Sequence, residues 1–284
     1  ILDLKLQNFY EQNGKSALVS FLENDEKLSR TGLEVETLVS EALQCSGLLD
    51  LNLYRAVLSS SRDADKGWLG DKDPRLIESL PFLRFIAPQA HVIHVYRDPR
   101  DVLASKKNAA WSRSGHIWKH IFANRVQFMM GRKAGPTFFG RNYHEVCYEQ
   151  LISNPEQVLS ELCKDMGIKY DSRMLTSFGR AAKKLVSEGE LEWKKETLGP
   201  LLEKNTGKWK SELTAKEICL TELCCRKIMG YAGYQAHGCA KNIAFWNWFW
   251  VLPGWLFITI LTRPYIFFKK RRIRRICKRI KDLK

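Results

Sequence analysis

His91-Val92-Ile93-His94-Val95-Tyr96-Arg97-Asp98-Pro99-Arg100-Asp101 decides how the rest of the chain is read. Its first six residues form a compact run rich in β-branched side chains and bounded by polar turn residues, as in a strand buried in a parallel sheet. The run ends abruptly at Arg97-Asp98-Pro99-Arg100-Asp101, and Val102 to Lys107 read as the opening of a helix. A strand that delivers charge at its carboxyl end and hands over to a helix is the unit from which ligand sites of open α/β sheets are built.

The neighbouring sequence extends the pattern. Downstream, a helix is expected from about Ile117 to Met130, then a strand over His144-Glu145-Val146-Cys147-Tyr148, then a helix near Pro155 to Met166. Upstream, a short extended run at Gly67-Trp68-Leu69-Gly70 leads into Asp71-Lys72-Asp73-Pro74. Pro74 suits the first turn of a helix through Leu76, Leu80, Leu83 and Phe85. Strands alternating with helices of this length predict a parallel sheet with crossover helices. The first sixty residues read as helical packing elements, with Leu33, Val35, Leu38, Val39 and Leu43 recurring near the helical period.

The net charge of +15 suggests nucleic acid until it is located. Lys269 to Lys284 hold ten Lys or Arg against one acid, Asp282, so this segment carries +9 and leaves +6 for the rest. The body is only mildly basic, which suits a nucleotide-binding domain and argues against a nucleic-acid-binding face. The eight cysteines show no paired C-x-x-C spacing that would suggest zinc. His116 and His120 have the spacing of a helical metal pair but not the intervening Glu of a zinc-protease motif, and they read as structural.

Lys72, Arg97 and Tyr148 each follow a predicted strand, and Ser105 is placed near the start of the next helix. A guanidinium, a hydroxyl and helix N-terminal N–H groups all donate to an anion, so together they form a natural phosphate clamp. The same residues also describe a salt-bridged turn with a capping Ser.

Lys72-Asp73-Pro74, Leu80-Pro81-Phe82-Leu83, Pro88, and Val95-Tyr96-Arg97-Asp98-Pro99-Arg100-Asp101-Val102 with Ser105 follow one another along the chain. Tyr148-Glu149-Gln150-Leu151, Gly207-Lys208-Trp209 and Gly230-Tyr231 complete the blocks. Their order resembles the core of the sulfotransferase family, nearest its Golgi-type branch that includes tyrosylprotein sulfotransferases, and the resemblance covers roughly residues 66 to 235. It implies a co-substrate, 3′-phosphoadenosine 5′-phosphosulfate, and no metal. Arg97 and Ser105 would hold its 3′-phosphate, Tyr148 the adenine, and Lys208 the phosphate side, while Lys72 would be catalytic at the transferring sulfuryl group.

Two departures from that family stand out. Its 5′-phosphosulfate loop, an R-S-G-T-T-like turn after a strand, is absent and is expected upstream of Ile1. Gly14-Lys15-Ser16 reads instead as a helix start. Where Golgi-type enzymes tend to place an Arg four residues after the Ser, this chain has Ala109, with Lys106 and Lys107 nearby. Asp3 and Glu11 are the carboxylates considered for the general base, and neither is assigned. Glu188, Glu190 and Glu192 read as a solvated loop.

From Asn242 to Thr262 no residue is charged, and Trp246, Trp248, Trp250 and Trp255 fall within this stretch. As a straight helix it would span roughly 31 Å, near the thickness of a hydrocarbon core. A spanning helix with the basic tail in the cytosol is the reading preferred, with a kinked or interfacial hairpin at Pro253-Gly254 as the rival. Ile273, Ile276, Ile280 and Leu283 form an apolar stripe among cations, suited to lying on anionic lipid.

The expectation is therefore an α/β fold, P-loop-kinase-like, with a parallel sheet in a three-layer α/β/α arrangement. The expected domains are a sulfotransferase-like domain over 1–236, a membrane-associating segment over 242–262 and a basic amphipathic tail over 263–284. The expected reaction moves a sulfuryl group to a hydroxyl of a glycan, protein tyrosine or lipid. It would occur at a membrane, in the Golgi lumen or on a cytoplasmic face. The alternatives are a catalytically inactive, membrane-tethered nucleotide-binding or scaffold protein, or a peripheral protein acting through its basic tail.

Overall fold

In the computed structural model the described residues are 5–29, 32–60, 68, 70–109, 112, 116–176, 205–238 and 243–282. The chain divides into two units, Ile1–Pro74 with Arg271–Lys284, and Arg75–Lys270.

The first unit is helical: α1 (Lys5–Glu23), α2 (Glu26–Ser29), α3 (Val35–Gln44) and α4 (Leu49–Ser60). Leu18, Leu22, Val35, Val39, Leu49 and Leu53 form its core. Buried Asp50 accepts the backbone N–H groups of Leu6 at 3.4 Å and Gln7 at 2.8 Å, placing an anion against otherwise unpaired donors in the first turn of α1. Asn52 donates to the carbonyls of Ala42 and Cys45 and so closes the end of α3. At Gly14 the backbone leaves the helical region, with φ 78°, and a second helical run resumes at Lys15, so Gly14-Lys15-Ser16 is a helix start. Trp68 and Gly70 to Asp73 have no regular secondary structure. Gly67 and Leu69, the rest of the expected upstream strand, lie outside the described residues.

In the second unit a 3₁₀ turn over Leu76–Ser79 precedes α5 (Leu80–Ile86), in place of the single helix expected from Pro74. Pro81 has no N–H and its ring clashes with the carbonyl four residues back, so it is accommodated where a new helix begins. β1 (Val92–Tyr96) leads to α6 (Pro99–Asn108) and α7 (Ile117–Phe139), and β2 (Tyr143–Cys147) leads to α8 (Tyr148–Ser153) and α9 (Pro155–Met166). The strands pair in parallel, Val92 with Tyr143 through Tyr96 with Cys147.

Helix α7 runs past the expected end at Met130 because Gly131 and Gly135 are contact points rather than stops. A Cβ at Gly135 would lie 2.1 Å from the Tyr143 ring, and one at Gly131 would lie 2.9 Å from His94. On the opposite face of β1, Ile93 and Val95 are exposed. Of the expected three-layer arrangement, the described residues contain these two parallel strands within a mostly helical fold.

α10 (Trp209–Glu212), α11 (Ala215–Ala232) and α12 (Trp248–Asp282), whose residues from Arg271 onward belong to the first unit, complete the described α-helices. Leu103, Ile121, Leu220, Cys224 and Ile228 pack with Val251 and Ile258 of α12 in the main core. Pro253 and Pro264 lie inside α12, which continues unbroken from the apolar segment into the basic one, so Pro253-Gly254 does not turn the chain back into a hairpin. Ile273 and Ile276, expected to face lipid, are buried, while Ile280 and Leu283 fall outside what can be described.

Candidate functional site

The five residues after β1 divide by what their side chains already bind. Asp98 caps α6 by accepting the N–H of Arg100 at 2.9 Å. Arg100 is 3 % exposed and pairs with Asp98 and Glu222, each at 2.7 Å, and it donates to the Gln235 carbonyl at 3.0 Å. Its guanidinium also lies 3.9 Å from the centre of the Trp209 ring. Asp101, equally buried, accepts the N–H of Gly207 at 2.7 Å and of Trp209 at 3.0 Å. Gly207 makes this turn at φ 74°, a region open to glycine and costly for other residues.

Arg97 is placed differently. Its guanidinium lies 4.6 Å from the centre of the Tyr148 ring, donates to the Asn205 carbonyl and stands 3.8 Å from Asp101. Its Nε is buried and has no acceptor among the described residues. A buried charged donor without an acceptor is costly, and an incoming anion is the partner that removes the cost. Asn205 donates to the Tyr148 hydroxyl at 2.9 Å, so one residue holds both members of the pair. The structure thus gathers Arg97, Tyr148 and the turn that contains Lys208.

Ser105 is exposed and lies two turns into α6, beyond the helix start, where Glu149 accepts the Asp98 N–H, Pro99 has no N–H and the Asp98 side chain accepts the Arg100 N–H. Lys72 is exposed and belongs to the first unit. Lys107 is held by both oxygens of Glu217, at 3.0 and 3.1 Å, and burial holds the Lys106 ammonium below its usual range. Of the carboxylates considered for a base, Asp3 and the 188–192 run lie outside the described residues, and Glu11 is exposed on α1 with Gln7.

Asn205 and Glu149 were not singled out from the sequence. Glu149 accepts the Asp98 N–H at 3.0 Å and the Tyr234 hydroxyl at 2.6 Å, and so ties β2 to the start of α6. A cavity of about 380 Å³ beside it is lined by Asp98, Arg100, Asp101, Glu149, Trp209 and Tyr234 among others. Its lining does not include Arg97, Ser105, Tyr148 or Lys208, and its carboxylates suit an anion poorly. Glu145, in β2, gathers Arg132 at 2.7 Å, the Tyr231 hydroxyl at 2.6 Å and the Tyr143 hydroxyl at 3.1 Å.

The remaining histidines have structural partners. His116 accepts the Trp118 N–H at the start of α7, and His120 lies 3.2 Å from the Ser112 hydroxyl. His91 and His144 are 2.9 Å apart. Among the described residues no group of three or more His, Cys, Asp or Glu converges on a point.

Comparison with curated proteins and with solved structures gives no significant match. The sequence model of the sulfotransferase family matches residues 10–172. The matched region takes in Lys72, Arg97, Ser105 and Tyr148 but stops short of Lys208. It covers more than half of the 284 residues, and with a strand-to-helix junction that presents an unsatisfied arginine, the chain belongs to the sulfotransferase family.

Proposed function

We propose that the protein transfers a sulfuryl group from 3′-phosphoadenosine 5′-phosphosulfate to a hydroxyl of a glycan, protein tyrosine or lipid, as in the Golgi-type branch. The observation that carries this reading is the buried, acceptor-less Nε of Arg97 beside the Tyr148 ring at the end of a parallel strand. Arg97 takes the 3′-phosphate, with Ser105 and Lys208 contributing from α6 and from the 205–208 turn. Tyr148 has one face under the guanidinium and offers the other to adenine.

Lys72 supplies positive charge as the bond between sulfur and the 5′-phosphate oxygen breaks and the acceptor oxygen bonds to sulfur. The product is adenosine 3′,5′-bisphosphate. The reading carries with it the three-layer P-loop-kinase-like architecture and the division at 1–236, 242–262 and 263–284. It also carries a membrane-associated location, in the Golgi lumen or on a cytoplasmic face.

Calorimetric titration with adenosine 3′,5′-bisphosphate, beside adenosine 5′-diphosphate, tests the donor site. Tight binding of the bisphosphate alone is expected. Equal binding of both would leave the 3′-phosphate unread and favour an inactive nucleotide-binding scaffold.

A further inference from the structure

We infer that α12 lies in the plane of an anionic membrane, with one side seated on the protein and the opposite side buried in the lipid interface. This deepens the membrane part of the reading above and does not depend on the donor site.

The inner side of α12 is committed to protein along most of its apolar length. Val251 and Ile258 are buried in the main core, and a Cβ at Gly254 would lie 2.8 Å from the Trp118 ring. Thr262 accepts from Arg125 at 3.1 Å, and Glu78 receives both the Tyr265 hydroxyl at 2.9 Å and Lys269 at 3.2 Å. Lys216 stands 5.4 Å from the centre of the Trp250 ring. Charged groups of the body, Arg125, Glu78 and Lys216, therefore flank the helix from Trp250 to Lys269.

A helix crossing the bilayer needs lipid or satisfied protein around it for roughly 30 Å. Such charges cannot accompany it into hydrocarbon without heavy cost. Crossing would strip α12 from the core, whereas lying flat keeps every one of these contacts.

The outer side has the composition that an interface selects. Phe249, Leu256, Ile260 and Phe267 follow one another at spacings that keep them on a single line of the helix, and all are exposed, Phe249 at 66 % and Ile260 at 65 %. Trp246, at 78 %, and Phe268, at 64 %, flank that line. Farther along the sequence of α12, in the part that belongs to the first unit, Arg271, Arg274 and Lys278 are exposed. Exposed Arg263 interrupts the apolar part and can extend its guanidinium to the headgroups. An aromatic-rich apolar face followed by a cationic one along the same helix matches the acyl boundary and the anionic headgroups of one leaflet.

Flotation of the full chain with sealed vesicles tests the inference. Binding to vesicles of phosphatidylcholine with phosphatidylserine is expected to exceed binding to phosphatidylcholine alone by tenfold or more. The pair Phe249→Glu and Ile260→Glu should abolish binding with an unchanged melting temperature. Arg271→Gln, Arg274→Gln and Lys278→Gln together should erase the preference for the anionic vesicles. A chain tagged at both ends and inserted into sealed microsomes should show both tags digested or both protected.

One tag protected and the other digested would mean that α12 crosses, and would overturn the inference. So would absence of vesicle binding, including the case where the outer face instead pairs two copies of the chain. Failure of the nucleotide titration would leave these results standing, and failure here would leave the donor site untouched.

Discussion

Arg97 and Arg100 are separated by three positions, and each lies over an aromatic ring, Tyr148 at 4.6 Å and Trp209 at 3.9 Å. Around Arg100, two carboxylates and a backbone carbonyl consume the guanidinium, so its charge is spent on holding α6 to α11 and to the segment after it. Around Arg97, the nearest carboxylate is 3.8 Å away and already bonded to two backbone N–H groups, and one nitrogen has no acceptor. Proximity to a motif does not separate a structural arginine from a ligand-binding one. The state of the other groups in its shell does.

The comparison breaks most visibly at Arg100. Arg100→Ala leaves Asp98 and Glu222 without their buried cation and should cost about 3–5 kcal/mol of stability, read as a lowered denaturant midpoint. A mild effect there would show that the pair is solvated and that the contrast with Arg97 is overdrawn.

Arg97→Ala should do the reverse. The change removes one nitrogen that has no acceptor together with the bond to the Asn205 carbonyl and the stacking on Tyr148, so the denaturant midpoint should fall by less than for Arg100→Ala. Affinity for adenosine 3′,5′-bisphosphate should fall by about ten- to a hundredfold, the loss of a charge-assisted contact of about 1.5–3 kcal/mol. Unchanged affinity in the folded variant would sink the assignment.

The smallest expected effect lies at the histidines of the paired strands β1 and β2. Burial pushes the His94 imidazole below its usual pKa, with Glu145 opposing the shift and Arg132 adding to it. Burial, then the neighbouring His91, does the same to His144. The folded state therefore resists protons that the unfolded chain accepts below about pH 6.5. Stability should be full well above that pH and decline as the pH falls through about 6.5 toward 5.5. Melting temperatures at the two ends of this window, with and without His94→Gln, measure the effect, and the variant should show the shallower decline.

The two strands among the described residues were legible because they announce themselves by β-branched runs that end in charge or a polar ring. β2 was displaced by one residue because Tyr148 reads equally well as a strand end or a helix start. The end of α7 was misread because Gly131 and Gly135 look like stop signals until Ile77, His94 and Tyr143 are seen against them. Arg97 and Tyr148 were legible as a site because each follows a strand directly. Asn205, which joins them, is more than a hundred residues downstream of Arg97, and no local pattern marks it.

The sequence by itself determined the family blocks, the strand-to-helix junction at Arg97 and the apolar character of the first part of α12, because these depend on spacing and composition within short windows. Only the tertiary structure decided which motif charges are already neutralised and which face of α12 is packed on protein and which exposed. Both answers depend on groups supplied by distant parts of the chain, Glu222, Asn205, Glu78 and Arg125 among them.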